Sequence, residues 1–299
     1  TLGDHEGSRI MKKQIPTFVQ YIIGAVALLS AGFGFWSSLD SQINFKVTKI
    51  PMPPLIDPFT KVAVEAKAAF VYEPDTGRVL YAKDEHARLP IASITKVMTV
   101  LAASQLLPKS TILPFSRQHY RLKDLMALTL VTSSNQGALS LATMTQTTVG
   151  RDLVTAMNDK AVSLKLAETT FNNTTGLDLP DGQAGSYSSA YDVAHLFTNI
   201  LATDPELLAA TKFEEIEAST VEGVRHRFLN TNEIISQLPG LLGSKTGFTD
   251  VAEGTLVIAF DRGLNQPVII VVLGSTIAGR FNDVKQLVDA TIATFLQQS

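Results

Sequence analysis

The sequence predicts an α+β protein in which an antiparallel sheet is covered by helices and carries an all-helical subdomain. Two observations lead to this class. β-Rich segments lie near both ends of residues 62–299, and helical patterns occupy about residues 122–210 between them. Strands separated by a block of helices favour a layered α+β fold over an alternating parallel sheet. With 299 residues, 45% of them hydrophobic and 18% charged, the chain is long and apolar enough to bury a core.

The first predicted element of this fold is a β-hairpin. Residues 66–72 and 79–82 are rich in β-formers, and the Pro-Asp-Thr-Gly sequence at residues 74–77 is typical of a turn with a positive φ at its glycine. Residues 91–106 follow with apolar side chains at helical spacing. Pro90 is predicted to begin this helix, because the first helical position does not need a backbone N–H donor.

The remaining elements are a set of helices and then three strands. Four or five helical stretches are predicted between residues 122 and 210, and their expected breaks are Gly137, Gly150, Gly176 and Gly182. The last predicted elements are strands at residues 243–248, 255–260 and 268–273 and an amphipathic helix at residues 281–296.

A membrane-spanning helix is predicted ahead of this domain. No charged residue occurs at residues 14–39, and residues 18–36 are mostly apolar. A helix over those residues would be roughly 28 Å long, close to the thickness of a bilayer's hydrocarbon core. Lys12 and Lys13 precede it, which predicts that the N-terminus is cytoplasmic and the following domain is outside. A cleaved signal peptide, with Ala-Val-Ala at residues 25–27 as its site, and a buried core helix are the alternatives.

The predicted domain organisation follows from this segment. Residues 1–10 are expected to be an artefactual extension, because Met11 with two lysines resembles a natural start. Residues 11–39 are expected to be the cytoplasmic start and anchor, residues 40–61 a proline-containing tether, and residues 62–299 the main folded domain.

Composition excludes several classes of protein and site. The net charge is −3 without a Lys/Arg block, so a nucleic-acid partner is not expected. Cysteine is absent, which excludes thiol catalysis and Cys-based metal sites and leaves an oxygen or an amine as nucleophile. His195 and His226 have no second ligand at metal spacing, so core or surface roles are expected and no cofactor is implied.

Three short motifs carry the predicted chemistry. Ser93 and Lys96 are three residues apart on a predicted helix, so an amine lies beside a hydroxyl that it could activate. Ser133 and Asn135 form a Ser-x-Asn sequence 40 residues later. Lys245, Thr246 and Gly247 form Lys-Thr-Gly, in which Gly lets a substrate backbone approach and Lys adds positive charge near Lys96. Each motif is weak alone, and their fixed order makes a strong signal.

The ordered motifs resemble those of the low-molecular-mass penicillin-binding proteins, the serine D-alanyl-D-alanine carboxypeptidases, over about residues 62–299. The resemblance extends to the sequences around them. These are residues 90–99, residues 69–72 before Asp-Thr-Gly at 75–77, Asn-Thr-Asn at 230–232, Gly-Ser-Lys-Thr-Gly-Phe-Thr at 243–249, and a T-x-F-x-N-x-x-G-L segment from Thr169 to Leu177.

The resemblance implies a role for each matching residue. Ser93 is the expected acylated nucleophile and Lys96 its base. Ser133 and Asn135 are the expected proton-relay and substrate-amide partners, and Lys245, Thr246 and Gly247 are expected to hold the substrate. The backbone N–H groups of Ser93 and Phe248 would form the oxyanion hole. Arg280 would bind the terminal carboxylate of D-alanine, for which a bidentate guanidinium is well suited.

The expected function is therefore a membrane-anchored, extracytoplasmic carboxypeptidase that acts on peptidoglycan stem peptides and is acylated by β-lactams. An endopeptidase that cleaves cross-links is the alternative, since no further domain is expected after the helix near residue 296, which resembles the compact endopeptidase members of the family. A β-lactamase is a less favoured alternative. Glu168 begins a Glu-x-x-x-Asn sequence that resembles the β-lactamase element that activates the deacylating water. The T-x-F-x-N-x-x-G-L match to the carboxypeptidases explains the same residues better. A catalytically silent wall-binding module would need a missing catalytic group, and none is missing.

Overall fold

The computed structural model describes residues 57–297, which contain twelve strands and seven α-helices. The strands are β1 (Ala68–Glu73), β2 (Arg78–Lys83), β3 (Leu89–Pro90), β4 (Ile112–Phe115), β5 (Gln118–Arg121), β6 (Thr170–Phe171), β7 (Ser186–Ser188), β8 (Glu215–Ser219), β9 (Arg225–Leu229), β10 (Leu241–Thr249), β11 (Glu253–Asp261) and β12 (Pro267–Ser275). The helices are α1 (Thr95–Leu106), α2 (Leu122–Val131), α3 (Asn135–Val149), α4 (Leu153–Ser163), α5 (Ala190–Thr203), α6 (Glu206–Ala209) and α7 (Gly279–Leu296).

The main sheet is antiparallel and has the strand order β10-β11-β12-β1-β2. Its N-terminal hairpin and its three C-terminal strands are the two groups of strands predicted from the sequence. The helical region α2–α5 lies between them in the chain, so the α+β layout is confirmed. Strand β10, which carries Lys245, Thr246 and Gly247, is an edge strand of this sheet.

The central strands of the sheet are buried on both faces. Alternate residues of β11 and β12 belong to two separate hydrophobic cores. Val257 and Val271 face the core that contains α1 and α5, and Ile258 and Ile270 face the core formed with α7. Because helices cover both faces, these strands are continuous apolar runs rather than alternating patterns.

Helix α1 lies inside the first of these cores. Each residue from Thr95 to Ala103 is buried, so the first nine residues of the helix have no solvent-exposed face. A helix that is surrounded by protein on all sides is held by its packing rather than by an amphipathic pattern. The helix that follows Ser93 is therefore a rigid support for that residue.

Local structure differs from the sequence-based prediction at two points. Pro90 does not begin α1: it ends β3, which pairs with β7, and the 3-10 turn Ala92–Ile94 precedes the helix. Gly137 does not break a helix, because it lies in the first turn of α3. A Cβ there would overlap Thr129 Oγ1, so this glycine allows α2 and α3 to approach closely.

Two hairpins were not predicted, namely β4–β5 and β8–β9. Both are two-stranded and partly exposed, and short exposed strands carry a weak hydrophobic signal in a sequence. The short sheet β3-β7-β6 was also not predicted, because strands of two or three residues lack a measurable period.

The predicted extension, the membrane-spanning helix and the tether up to residue 56 lie outside the described residues. Within residues 57–297, no helix combines the length and apolar character needed to cross a bilayer. The end of the predicted tether is folded: Pro58–Lys61 form a 3-10 helix, and Phe59 is buried in the core beneath α7.

Candidate active site

Ser93 lies in a tight turn between β3 and α1. Ala92 has a φ of +46°, which is strained for a residue with a Cβ, and its carbonyl accepts a hydrogen bond from Thr95 Oγ1 at 2.6 Å. Ile91, Ala92 and Ile94 are buried around the half-buried serine. The turn therefore fixes the direction in which the Ser93 side chain leaves the core.

Lys96 provides an amine next to this hydroxyl. Its side chain is fully buried, and Nζ lies 2.8 Å from Ser93 Oγ and donates to the Thr175 carbonyl at 2.6 Å. Burial disfavours the ammonium form and lowers the pKa of Lys96 to about 7. At neutral pH a large fraction of the amine is therefore neutral, and it can accept the Ser93 proton.

A second hydroxyl–amine pair completes the site. Ser133 precedes α3 with a φ of +57°, and Lys245 Nζ donates to its Oγ at 2.9 Å. Lys245 is buried in β10, and its pKa lies well below the ordinary value. Burial is the largest cause, and repulsion from the charges of Lys96 and Arg280 adds to it. Asn135 Oδ1 is buried and has no hydrogen-bond partner among the described residues, so it is free to accept a hydrogen bond from a substrate amide.

Strand β10 approaches Ser93 closely because residue 247 is glycine. A Cβ on Gly247 would lie 2.9 Å from the backbone nitrogen of Ser93 and would overlap Thr255 Oγ1. The backbone of β10 therefore lies directly beside the Ser93 N–H. Phe248, which follows Gly247, is 43% exposed and marks the open side of this edge.

Thr246 is held in place by Thr231, a residue for which the sequence predicted no role. The Thr246 hydroxyl lies 2.6 Å from Thr231 Oγ1, and Thr231 N donates to the Val131 carbonyl at the end of α2. The Asn-Thr-Asn sequence at residues 230–232 was the only sign of this contact. Thr231 thus links β10 to the helical region that carries Ser133.

Arg280 reaches the site from the first turn of α7. It is buried, and Nη1 donates to the Gly247 carbonyl at 2.6 Å. Burial lowers the pKa of Arg280. The buried Nε has no partner among the described residues, so this guanidinium has donor capacity left for a ligand.

The described contacts of Glu168 are with Asp192, Ser189 and His86 rather than with Ser93 or Lys96. Its carboxylate accepts a hydrogen bond from Ser189 at 3.4 Å and lies 3.9 Å from His86 Nδ1. His195 stacks on Tyr191 with ring centroids 4.0 Å apart. Within the described part of the chain, no three His, Cys, Asp or Glu side chains form a metal site.

Comparison with known proteins identifies the family. The chain belongs to the D-alanyl-D-alanine carboxypeptidase family, whose model matches residues 56–113 and 102–276. This class is the one expected from the ordered motifs.

Individual relatives agree with this assignment. The chain is 30% identical to the D-alanyl-D-alanine carboxypeptidase DacF of Bacillus subtilis over 259 residues, which are 79% of this chain and 64% of that relative. It is 32% identical to the D-alanyl-D-alanine endopeptidase of Pseudomonas aeruginosa over 231 residues, which are 69% of this chain and 70% of that relative. The ampicillin-bound crystal structure of Penicillin-Binding Protein D2 from Listeria monocytogenes superposes with a TM-score of 0.67 at 29% identity, over 76% of this chain and 97% of that one.

Proposed function

We propose that this protein is a serine D-Ala-D-Ala carboxypeptidase that removes the terminal D-alanine from peptidoglycan stem peptides. The observation that carries the proposal is the buried Lys96 amine 2.8 Å from Ser93 Oγ, with a pKa of about 7 and a second amine–hydroxyl pair beside it. A serine hydroxyl becomes a nucleophile when a neutral base lies within hydrogen-bond distance.

The reaction has two steps, acylation and deacylation. Lys96 accepts the Ser93 proton while Oγ attacks the carbonyl carbon of the scissile peptide bond. The backbone N–H groups of Ser93 and Phe248 stabilise the oxyanion. The C–N bond then breaks, and the proton that Lys96 took from Ser93 passes through the Ser133 hydroxyl to the leaving D-alanine amine, so that Lys96 is neutral again and Ser133 keeps its proton. Water next attacks the acyl-enzyme, releases the shortened peptide and returns the proton to Ser93.

Substrate contacts come from the edge of β10 and from two polar side chains. Lys245, Thr246 and Gly247 line the strand beside which the peptide lies, and Asn135 accepts a hydrogen bond from a substrate amide. Arg280 binds the terminal carboxylate through the donors that the Gly247 carbonyl leaves free.

Cleavage of peptidoglycan cross-links is the second candidate function. The Pseudomonas aeruginosa relative is named a D-alanyl-D-alanine endopeptidase and is as similar in sequence as the carboxypeptidases. Both reactions use the same acyl-enzyme and differ in the amine that leaves.

The protein acts outside the cytoplasm and is attached to the membrane through its N-terminal apolar segment. β-Lactams acylate Ser93, as the ampicillin-bound Listeria relative suggests. The membrane attachment rests on the apolar sequence of residues 18–36, and the reaction with β-lactams rests on the similarity to that relative.

Mass spectrometry of the products tests the proposal. The purified chain is incubated with a defined pentapeptide and, separately, with a cross-linked muropeptide dimer; Ser93→Ala is the control. Loss of one alanine from the pentapeptide is expected, and conversion of the dimer alone would assign the endopeptidase activity instead. A labelled penicillin should attach to the wild type and not to Ser93→Ala, and label on the variant would contradict the assigned nucleophile.

A further inference from the structure

One segment contacts the base without providing a reacting side chain. Residues 172–178 lie between β6 and β7, and the backbone carbonyl of Thr175 accepts a hydrogen bond from Lys96 Nζ. A neutral amine has two N–H groups and one lone pair. When one N–H is held by the Thr175 carbonyl, rotation of the amine is restricted and its lone pair can point at Ser93 Oγ.

The direction of that carbonyl depends on the side chain of Asn173. Its Oδ1 accepts hydrogen bonds from Thr175 N at 3.0 Å, Thr175 Oγ1 at 3.0 Å and Gly176 N at 2.7 Å. Its Nδ2 donates to the Leu177 carbonyl at 2.9 Å. Both ends of the Asn173 side-chain amide therefore close a turn around the peptide unit that contains the Thr175 carbonyl.

The same turn packs closely against the nucleophile. Gly176 has a φ of +75°, and a Cβ there would overlap the Ala92 carbonyl oxygen. Thr99 on α1 donates to the Thr174 carbonyl at 2.8 Å and fixes the other side of the turn. The Lys96 side chain has no exposed surface under this cover.

We propose that Asn173 is a positioning residue, which holds the Thr175 carbonyl against the Lys96 amine and keeps the base both oriented and shielded from water. The inference rests on the proposed function, in which Lys96 activates Ser93. Asn173 itself does not contact Ser93 Oγ, and it acts through the backbone of the next residues.

The proposal has a consequence for the pH dependence of acylation. Burial lowers the pKa of Lys96, and the charged groups near it are Lys245 on β10 and, beyond that lysine, Arg280 on α7. If the turn loosens, water reaches the amine and its pKa rises. A larger fraction of Lys96 is then protonated at neutral pH and cannot accept the Ser93 proton.

The test is the second-order rate of acylation by a fluorescent penicillin between pH 5.5 and 10, for the full chain and its variants. For Asn173→Ala we expect the acidic midpoint to move up by about one pH unit, which makes acylation about fivefold slower at pH 7 and leaves it within about twofold of the wild type at pH 10. The matched control is Asn172→Ala. Asn172 Nδ2 donates to the Ala184 carbonyl, so its loss perturbs the same loop and should leave the midpoint unchanged.

A second variant keeps the proposal testable if Asn173→Ala does not fold. Thr175→Val preserves the backbone carbonyl and removes the hydroxyl that contacts Asn173 and Leu177 N. Its midpoint should move in the same direction by a smaller amount.

The proposal is overturned if Asn173→Ala lowers the rate by one factor at every pH, if Asn172→Ala moves the midpoint equally, or if Thr175→Val leaves it unchanged. A wild type that is not labelled at any pH would instead contradict the proposed function, so the two failures are distinguishable.

Discussion

Replacement of Lys96 by methionine should abolish acylation and change the pH dependence of folding stability in a defined direction. The side chain is buried, and its pKa in the folded protein is about 7, against an ordinary value of 10.5. A lysine with a lowered pKa destabilises the folded state below the unfolded pKa. The penalty is complete below pH 7 and disappears as the pH rises through 10.5.

The magnitude follows from these two values. The penalty on the folded state is about 4 kcal/mol at pH 7 and about 1 kcal/mol at pH 9.5. Lys96→Met has no charge to bury, so it avoids the penalty at both pH values. It also loses the hydrogen bonds to Ser93 and Thr175, which costs roughly 2 to 4 kcal/mol, with little dependence on pH. Removal of the Lys96 charge also relieves its repulsion of Lys245, which further stabilises the variant relative to the wild type at pH 7.

The stability of Lys96→Met relative to the wild type should therefore fall by about 3 kcal/mol between pH 7 and pH 9.5. For a domain of this size that difference corresponds to roughly 6 to 12 °C in Tm. Thermal unfolding followed by circular dichroism at the two pH values measures it, and a fluorescent penicillin measures acylation. Lys123→Met removes an exposed lysine and serves as the control. An unchanged or rising relative Tm for Lys96→Met at pH 9.5 would refute the argument that burial keeps this amine neutral.

Two further substitutions test the packing and the substrate contacts. Gly176→Ala should slow penicillin acylation by about a hundredfold or more, because the added Cβ displaces the Ala92 carbonyl beside the nucleophile. Gly150→Ala is the control, because Gly150 has a similar positive φ but an added Cβ would meet no neighbouring atom. This variant should lose about 1 kcal/mol of stability and be acylated normally. Arg280→Ala should reduce D-alanine release roughly 10- to 150-fold, and penicillin labelling far less, because it removes the charge-assisted contact that we propose with the substrate carboxylate. Equal losses in both assays would mean that Arg280 acts through its bond to the strand and does not bind the carboxylate.

The sequence by itself determined the secondary structure and the residue pairs that depend only on residues close together in the chain. The spacing of Ser93 and Lys96 predicted that their side chains lie side by side, and the structure has Nζ and Oγ 2.8 Å apart, although Ser93 lies in the 3-10 turn before α1 and not in the helix itself. The hairpin β1–β2 and the strands β10–β12 also followed from local patterns, because long apolar runs with turn sequences between them have few other structures available. The order of the three motifs was enough to indicate the family.

Only the tertiary structure decided which distant groups meet. Ser133 and Lys245 are 112 residues apart, and their contact depends on the close approach of α2 and α3 that Gly137 allows. The acceptor for Lys96 is the carbonyl of Thr175, and a backbone carbonyl is present at each residue, so no sequence signal marks it. The low pKa of Lys96 likewise arises from exclusion of water by segments far away in the chain. Desolvation is a property of the assembled core, and residue types alone do not specify it.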